Sequence, residues 1–322
     1  MAVGDIITAL RYNNLQSRVE NILGVGASNE GYGQTTSSNQ LSAGKLVEAN
    51  DMNNIYNDFN TIYRHQVDQA PSAFISTVSI GNLIAEDTSD DPNGILKGYA
   101  DFESFMSTVE SDPNRFRLHV NQQTDDDEYD SLTYSSQWRY NLYGYYKVTF
   151  ADANQRRYFF NSGGRITFKV SLTSTATGGN IAKTNDWATM LSNSGLVSFG
   201  HNYTSSDNSG TGSAIGNFQL TTSYQQVYRK TGSGVYADNN YYIRAKEGAT
   251  SNIIDFEIWM NEADTGSTSG AKGVVPIDEY VQGNLTHWVG YVRASGAYVN
   301  VALPTILGVN SSGVSSTTFT GS

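Results

Sequence analysis

Residues 155–172 read QRRYFFNSGGRITFKVSL. Two arginines and three aromatics lead into Asn161-Ser162-Gly163-Gly164, and strict alternation follows. The polar centre is either a site or a turn. As a site it would be a glycine loop around a ligand, or a serine served by a base. Its flanks favour a turn. YYKVTF precedes it as a strand, ADAN as a first turn and RRYFF as a second strand. Asn161, Ser162, Gly163 and Gly164 then form the next structural turn, and RITFKVSL the third strand. Adjacent glycines permit the positive φ that a tight hairpin needs. Ser162 has no base or orienting residue nearby in the sequence.

Working outward, the chain from about residue 136 has strand periodicity throughout. In RITFKVSL, Ile166, Phe168, Val170 and Leu172 share one face, and Arg165, Thr167, Lys169 and Ser171 the other. In NIIDFEIWM, Ile254, Phe256, Ile258 and Met260 point inward, and Asp255, Glu257 and Trp259 outward. Such alternation marks half-buried antiparallel sheet. GLVSFG, NFQLTTSYQQVY, NNYYIRAK and HWVGYVRA add further runs separated by Gly, Ser, Asn and Asp. Many short strands predict a β-sandwich, jelly-roll or Ig-like, with a helical turn at DWATML (186–191) as the exception.

The N-terminus is helical and duplicated. GDIITALRYNNLQSRVENIL (4–23) and GKLVEANDMNNIYNDFNTIY (44–63) align at a constant offset of 40 residues. Gly4 matches Gly44, Ala9 matches Ala49, and Asn13-Asn14 matches Asn53-Asn54. Tyr12, Leu15, Val19 and Ile22 lie on one helix face, as do Met52, Ile55, Phe59 and Ile62. Thr8 is a candidate N-cap. A single amphipathic helix cannot bury its stripe alone, so the two are expected to pair. The stripes are also candidate assembly interfaces toward neighbouring subunits.

The middle is less regular. Phe102, Phe105, Met106 and Val109 mark another helix face, with Asp101 as its cap. RFRLHV (115–120) alternates like a strand, and TDDDEYD (124–130) reads as an acidic linker. The expected organisation is a helical repeat over 1–70, a mixed connector over 71–135 and the sandwich over 136–322. The fold class is α+β.

Composition limits the chemistry. The 322 residues carry a net charge of −11, with 31 glycines, 21 tyrosines and no cysteine. Thiolate metal sites, Cys nucleophiles and disulfides are excluded. No basic cluster offers phosphate contacts, so nucleic acid is not an expected partner. The N-terminus lacks the pattern of a signal peptide, and no run approaches the ~20 apolar residues of a membrane span.

His65, His119, His201 and His287 have no metal-binding spacing, and no G-x-S-x-G elbow is present. The glycines of GVG (24–26) do not fit a dinucleotide fingerprint. GGNIAKT (178–184) has Ala182 where a phosphate loop needs its second glycine. Asp87, Asp90, Asp91 and Asn93, and separately Asp125, Asp126 and Asp127, are oxygen ligands of the Ca²⁺ type, but solvated loops explain both. No catalytic, cofactor or metal residue is assigned. Tyr140, Tyr143, Tyr145, Tyr146, Tyr241, Tyr242, Trp288 and Tyr291 are either core and interface, the favoured reading, or a binding platform for sugars or proteins.

VTFADANQRRYFFNSGGRITF, DWATMLSNSGLVSF, GNFQLTTSYQQVY and VPIDEYVQGNLTHWVGYVRASG together resemble virion structural proteins of tailed phages of marine bacteria, cyanophages in particular. GDIITALRYNNLQSRV and its repeat look like the front end of the same proteins. The resemblance implies a late, non-enzymatic component of the particle, assembled in the host cytoplasm and localised to the virion. The expected function is a tail fibre or fibre-adaptor subunit that docks through its N-terminal module. Expected partners are other virion proteins of the tail, baseplate or neck, further copies of itself as a homo-oligomer (a trimer favoured), and a host cell-surface glycan or protein. The alternatives are a head or neck decoration protein and a tailspike that binds or cleaves host polysaccharide.

Overall fold

The computed structural model describes residues 7–81, 84, 86, 98–263 and 280–321. The chain forms two compact units. The first comprises Met1–Thr124, Asn154–Gly164 and Arg293–Ala302, and the second Asp125–Ala153, Arg165–Val292 and Leu303–Ser322. This division does not follow the expected boundaries at 70 and 135.

The first unit is built on α1 (Ala9–Ile22), α2 (Ala49–Val67) and α3 (Tyr99–Glu110). Thr8 caps α1, its Oγ1 accepting the Arg11 N–H at 3.2 Å. Asp51 and Asp101 sit one turn inside α2 and α3, where their carboxylates accept the amides of Glu48 and Gly98. Asp101 is thus the third helical residue and not the cap itself. The two stripes pack together and against α3, with Phe59 meeting Phe102 and Phe105 at 6.2 and 5.3 Å. Tyr12, Leu15, Val19, Ile22, Met52, Ile55, Phe59 and Ile62 are all at most 3% exposed. The pairing expectation holds. The interface expectation for these side chains is corrected, because their own unit covers them.

The opening stretch is also corrected. RRYFF belongs to a helix, α4 (Ala153–Asn161). Arg156, Phe159 and Phe160 recur at helical spacing and are buried, and that packing overrides the strand preference of the aromatics. Asn161–Gly164 is a helix stop, not a hairpin. The Gly163 amide donates to Phe160 O at 3.1 Å and the Gly164 amide to Phe159 O at 2.9 Å. Gly163 adopts φ +82°. This is the pairing of a Schellman motif, with glycine at its left-handed position.

RFRLHV carries 3₁₀ turns at Asn114–Phe116 and Val120–Gln122. The His119 amide is tied to the His65 carbonyl at the end of α2, which removes it from strand pairing.

The second unit carries two antiparallel sheets. One has the order β1 (Gln123–Tyr134), β9 (Gly283–Ala294), β3 (Arg165–Ser174), β4 (Val197–Phe199), β5 (Thr204–Ser206). The other runs β10 (Thr305–Val309), β2 (Leu142–Thr149), β8 (Ile253–Asn261), β7 (Asn240–Glu247), β6 (Gln225–Thr231), with β11 (Thr320–Gly321) also on β2. The predicted inward residues of β3 and β8 are buried. Phe168 and Phe199 of the first sheet meet Phe256 of the second at 5.0 and 5.1 Å, so the sheets face each other as a sandwich. Strands β2 and β3 lie in different sheets, which excludes the expected three-stranded meander.

The acidic run is strand β1 rather than a linker. Gly290 on β9 admits its backbone, since a Cβ there would lie 2.0 Å from Asp126 O. The charges of β1 sit at the edge of its sheet, where they oppose pairing with another chain. The helix around DWATML is longer than expected and runs from Asn180 to Ser192 as α5, packed on β3.

Candidate functional site

The groups that resemble catalytic residues serve structure. His65 and Ser162 meet in space, but in the wrong sense for nucleophile activation. His65 Nε2 donates to the Ser162 carbonyl at 2.9 Å, while Ser162 Oγ donates to Phe159 O. Both residues are buried. Asn161 Nδ2 donates to Asn29 O and Gly31 O, each at 2.9 Å. The turn residues therefore hold the loop after α1 and the end of α2. Gly163 fits closely here, since a Cβ would lie 2.7 Å from Leu118 Cβ.

His287 lies in the sandwich core. Tyr146 Oη donates to its carbonyl at 2.6 Å, and its Nε2 is 2.8 Å from Tyr241 Oη. Burial pulls His287 down to about 3 and His65 to about 4, so both are neutral at neutral pH. His201 packs its ring on Phe218 at 4.5 Å. His119 Nδ1 accepts the Asn121 amide. Lys183, in the loose match to a phosphate loop, pairs with Glu262.

Among the described residues no group of three or more His, Cys, Asp or Glu is placed to hold a metal. Asp87, Asp90, Asp91 and Asn93 lie outside the described residues. Asp127 accepts from Thr167 Oγ1 at 3.1 Å, and its carboxyl is pushed up by burial. Among the described residues no helix is long and apolar enough to cross a membrane.

A solvent-facing cluster of aromatic and charged side chains lies on the outer face of the six-stranded sheet. Alternation divides the aromatic candidates there. Tyr146 and Tyr241 face the core, while Tyr143, Tyr145 and Tyr242 face outward and are half-buried. On the five-stranded sheet Trp288 is outward beneath Lys169, and Tyr291 is buried against Tyr129.

Cross-strand register aligns Tyr143, Trp259, Tyr242 and Arg229 in one row. Trp259 stacks on Tyr143 at 5.9 Å and 15°, and on Tyr242 at 4.8 Å and 26°. Arg244 lies 4.3 Å from the Trp259 ring centre. Tyr143 and Tyr242 come from the strands on either side of β8, so both faces of Trp259 are covered. The row is a stiff stack with its edges toward solvent, not a flat platform. In the next row Glu257 stands between Tyr145 and Arg244. Burial pushes its carboxyl up, and Arg244 opposes that shift.

Two clefts flank this face. One, of about 350 Å³, is polar and carries Lys147, Lys246, Asp255, Glu257, Tyr145 and Tyr224. The other, of about 400 Å³, is aromatic and carries Tyr134, Trp138, Arg139, Tyr140 and Tyr280 with the amide side chains Gln137 and Asn141. Sequence reasoning pointed to Tyr140 and missed the rest. The β1–β2 connector has no periodicity, and Tyr280 comes from the far side of the sequence.

Comparison with known protein families, with characterised proteins and with solved structures gives no match.

Proposed function

We propose that this chain is a non-enzymatic structural component of a tailed-phage virion, a tail-fibre or fibre-adaptor subunit that presents its β-sandwich for contact. The observation that carries this reading is the outer face of the six-stranded sheet, where a stacked aromatic and arginine row lies between two clefts. Aromatic and arginine side chains are the residue types that dominate contact surfaces. The buried histidines and the carbonyl-directed His65–Ser162 contact are what a scaffold would use. The resemblance of the long sequence motifs to phage structural proteins supports the same reading.

Docking to the particle falls to exposed apolar side chains of the first unit, such as Leu10, Leu46 and Ile80, since the paired helix stripes are already covered. Affinity would come from many weak contacts multiplied by copy number.

The test is the position of the chain in purified particles, by labelling with an antibody against the β-sandwich and by imaging. Label on the tail is the expected result. Label on the capsid or collar would replace the fibre reading with a decoration role. Its absence from particles would overturn the virion reading.

A further inference from the structure

We infer that the aromatic cleft between the start of β2 and Tyr280 is a saccharide-binding site. The inference rests on reading the β-sandwich as a contact domain and names the ligand class of one part of its surface.

Its size is that of a small-ligand site. The lining is specific in kind. Tyr140 is 55% exposed, with Arg139 5.0 Å from its ring centre. Arg139 also lies 5.7 Å from the Tyr280 ring centre. Tyr134 meets Trp138 edge-on at 5.9 Å. Gln137 and Asn141 add side-chain amides, and among the described residues no carboxylate lines the cleft.

A sugar ring presents two kinds of surface, patches of C–H for an aromatic face and hydroxyls for amides and guanidinium. This cleft offers both. An aliphatic peptide anchor would find no matching pocket, since Leu142, the single aliphatic side chain among the described lining residues, is itself buried.

A second feature points the same way. Trp138 lines the cleft, and its indole Nε1 is buried with no hydrogen-bond acceptor among the described residues. An unmatched buried N–H is unfavourable, and a hydroxyl is an acceptor for it. The stacked row on the same sheet is a poorer sugar platform, because both faces of its central ring, Trp259, are already covered.

The experiment is calorimetric titration of the full chain with a panel of soluble oligosaccharides, comprising neutral hexose, N-acetylhexosamine and uronate-containing members. At least one member is expected to bind saturably, with one site per chain. Tyr140→Ala should weaken that binding at least tenfold while leaving the melting temperature unchanged, because the ring is exposed. Tyr203→Ala, an exposed tyrosine outside the cleft, should leave it intact. No binding by any member at millimolar concentration overturns the site. So does binding that Tyr140→Ala leaves unchanged. Antibody labelling of particles separates the two readings. A chain present in particles that binds no sugar keeps the structural role and loses the site. A chain absent from particles that binds through Tyr140 keeps the site and loses the role.

Discussion

Asn13 and Asn53 hold the backbone in the same way. Asn13 Nδ2 donates to Leu41 O at 2.8 Å, and its Oδ1 accepts the Leu41 amide at 2.7 Å. Asn53 does the same to Val78, at 2.9 and 2.8 Å. They occupy equivalent positions in the N-terminal repeat, so the duplication copies a device as well as a helix. Each asparagine clips the extended segment after its own helix, using a carboxamide that matches a backbone N–H and C=O together.

Asn13→Ala and Asn53→Ala should each destabilise the chain by about 1–3 kcal/mol, the cost of leaving two half-buried backbone groups unpaired. Urea unfolding would measure it. Asn13→Asp should cost a similar amount, since it keeps the acceptor and turns a carboxylate oxygen toward the Leu41 carbonyl. If the alanine variants unfold at the wild-type midpoint, the repeated asparagines have no such role.

Gly163→Ala should destabilise by more than about 1 kcal/mol, since φ is +82° and the new methyl meets Leu118 and Phe116. Ser162→Ala removes one hydrogen bond to Phe159 O and should cost about 1 kcal/mol or less. Thermal melts of the two variants should rank in that order. A reversed ranking would contradict the helix-stop assignment.

Much of this fold was legible because burial imposes a period. Ile254, Phe256, Ile258 and Met260 alternate, and all four are buried. The paired helix stripes were legible for the same reason. Phe159 and Phe160 were not, since a short run of aromatics before two glycines satisfies a strand and a helix end equally well. The acidic strand β1 was hidden because an edge strand needs no apolar alternation. The meeting of His65 with Ser162 depends on a long sequence separation that no local pattern encodes. The aromatic cleft was only partly legible, through Tyr140.

The buried histidines set a pH dependence. His65 titrates near 4 and His287 near 3 in the folded chain, against 6.5 as the ordinary value, because burial disfavours the charged ring. The unfolded chain therefore binds protons first. Their contribution is complete above about pH 6.5 and is lost as pH falls toward 4 and then 3. The loss should approach roughly 3 kcal/mol for His65 by pH 4. Asp58 acts in the opposite sense. Burial raises its carboxyl above 3.8 against the pull of the Ser37 and Ser38 amides, so its protonation in acid favours the folded state. Urea midpoints between pH 7 and 4.5 should fall, and His65→Gln should flatten that slope. A slope that the substitution leaves unchanged would assign the acid sensitivity elsewhere.

Lys183 and Glu262 form an ion pair with both side chains fully buried, 3.1 Å apart. Glu262 also accepts the Trp187 indole N–H at 2.7 Å. Desolvation makes such a pair a poor source of net stability and an expensive one to break by halves. Lys183→Met leaves a buried carboxylate without its ammonium and should cost about 3–5 kcal/mol. Glu262→Gln leaves the ammonium facing a neutral amide and should cost a comparable amount. In the double variant both charges of the pair are gone, and the glutamine oxygen still serves Trp187. It should therefore be more stable than either single variant, with a strongly favourable coupling energy in a double-mutant cycle. Additive losses would mean that each residue acts through separate contacts and that the pair carries no coupling of its own.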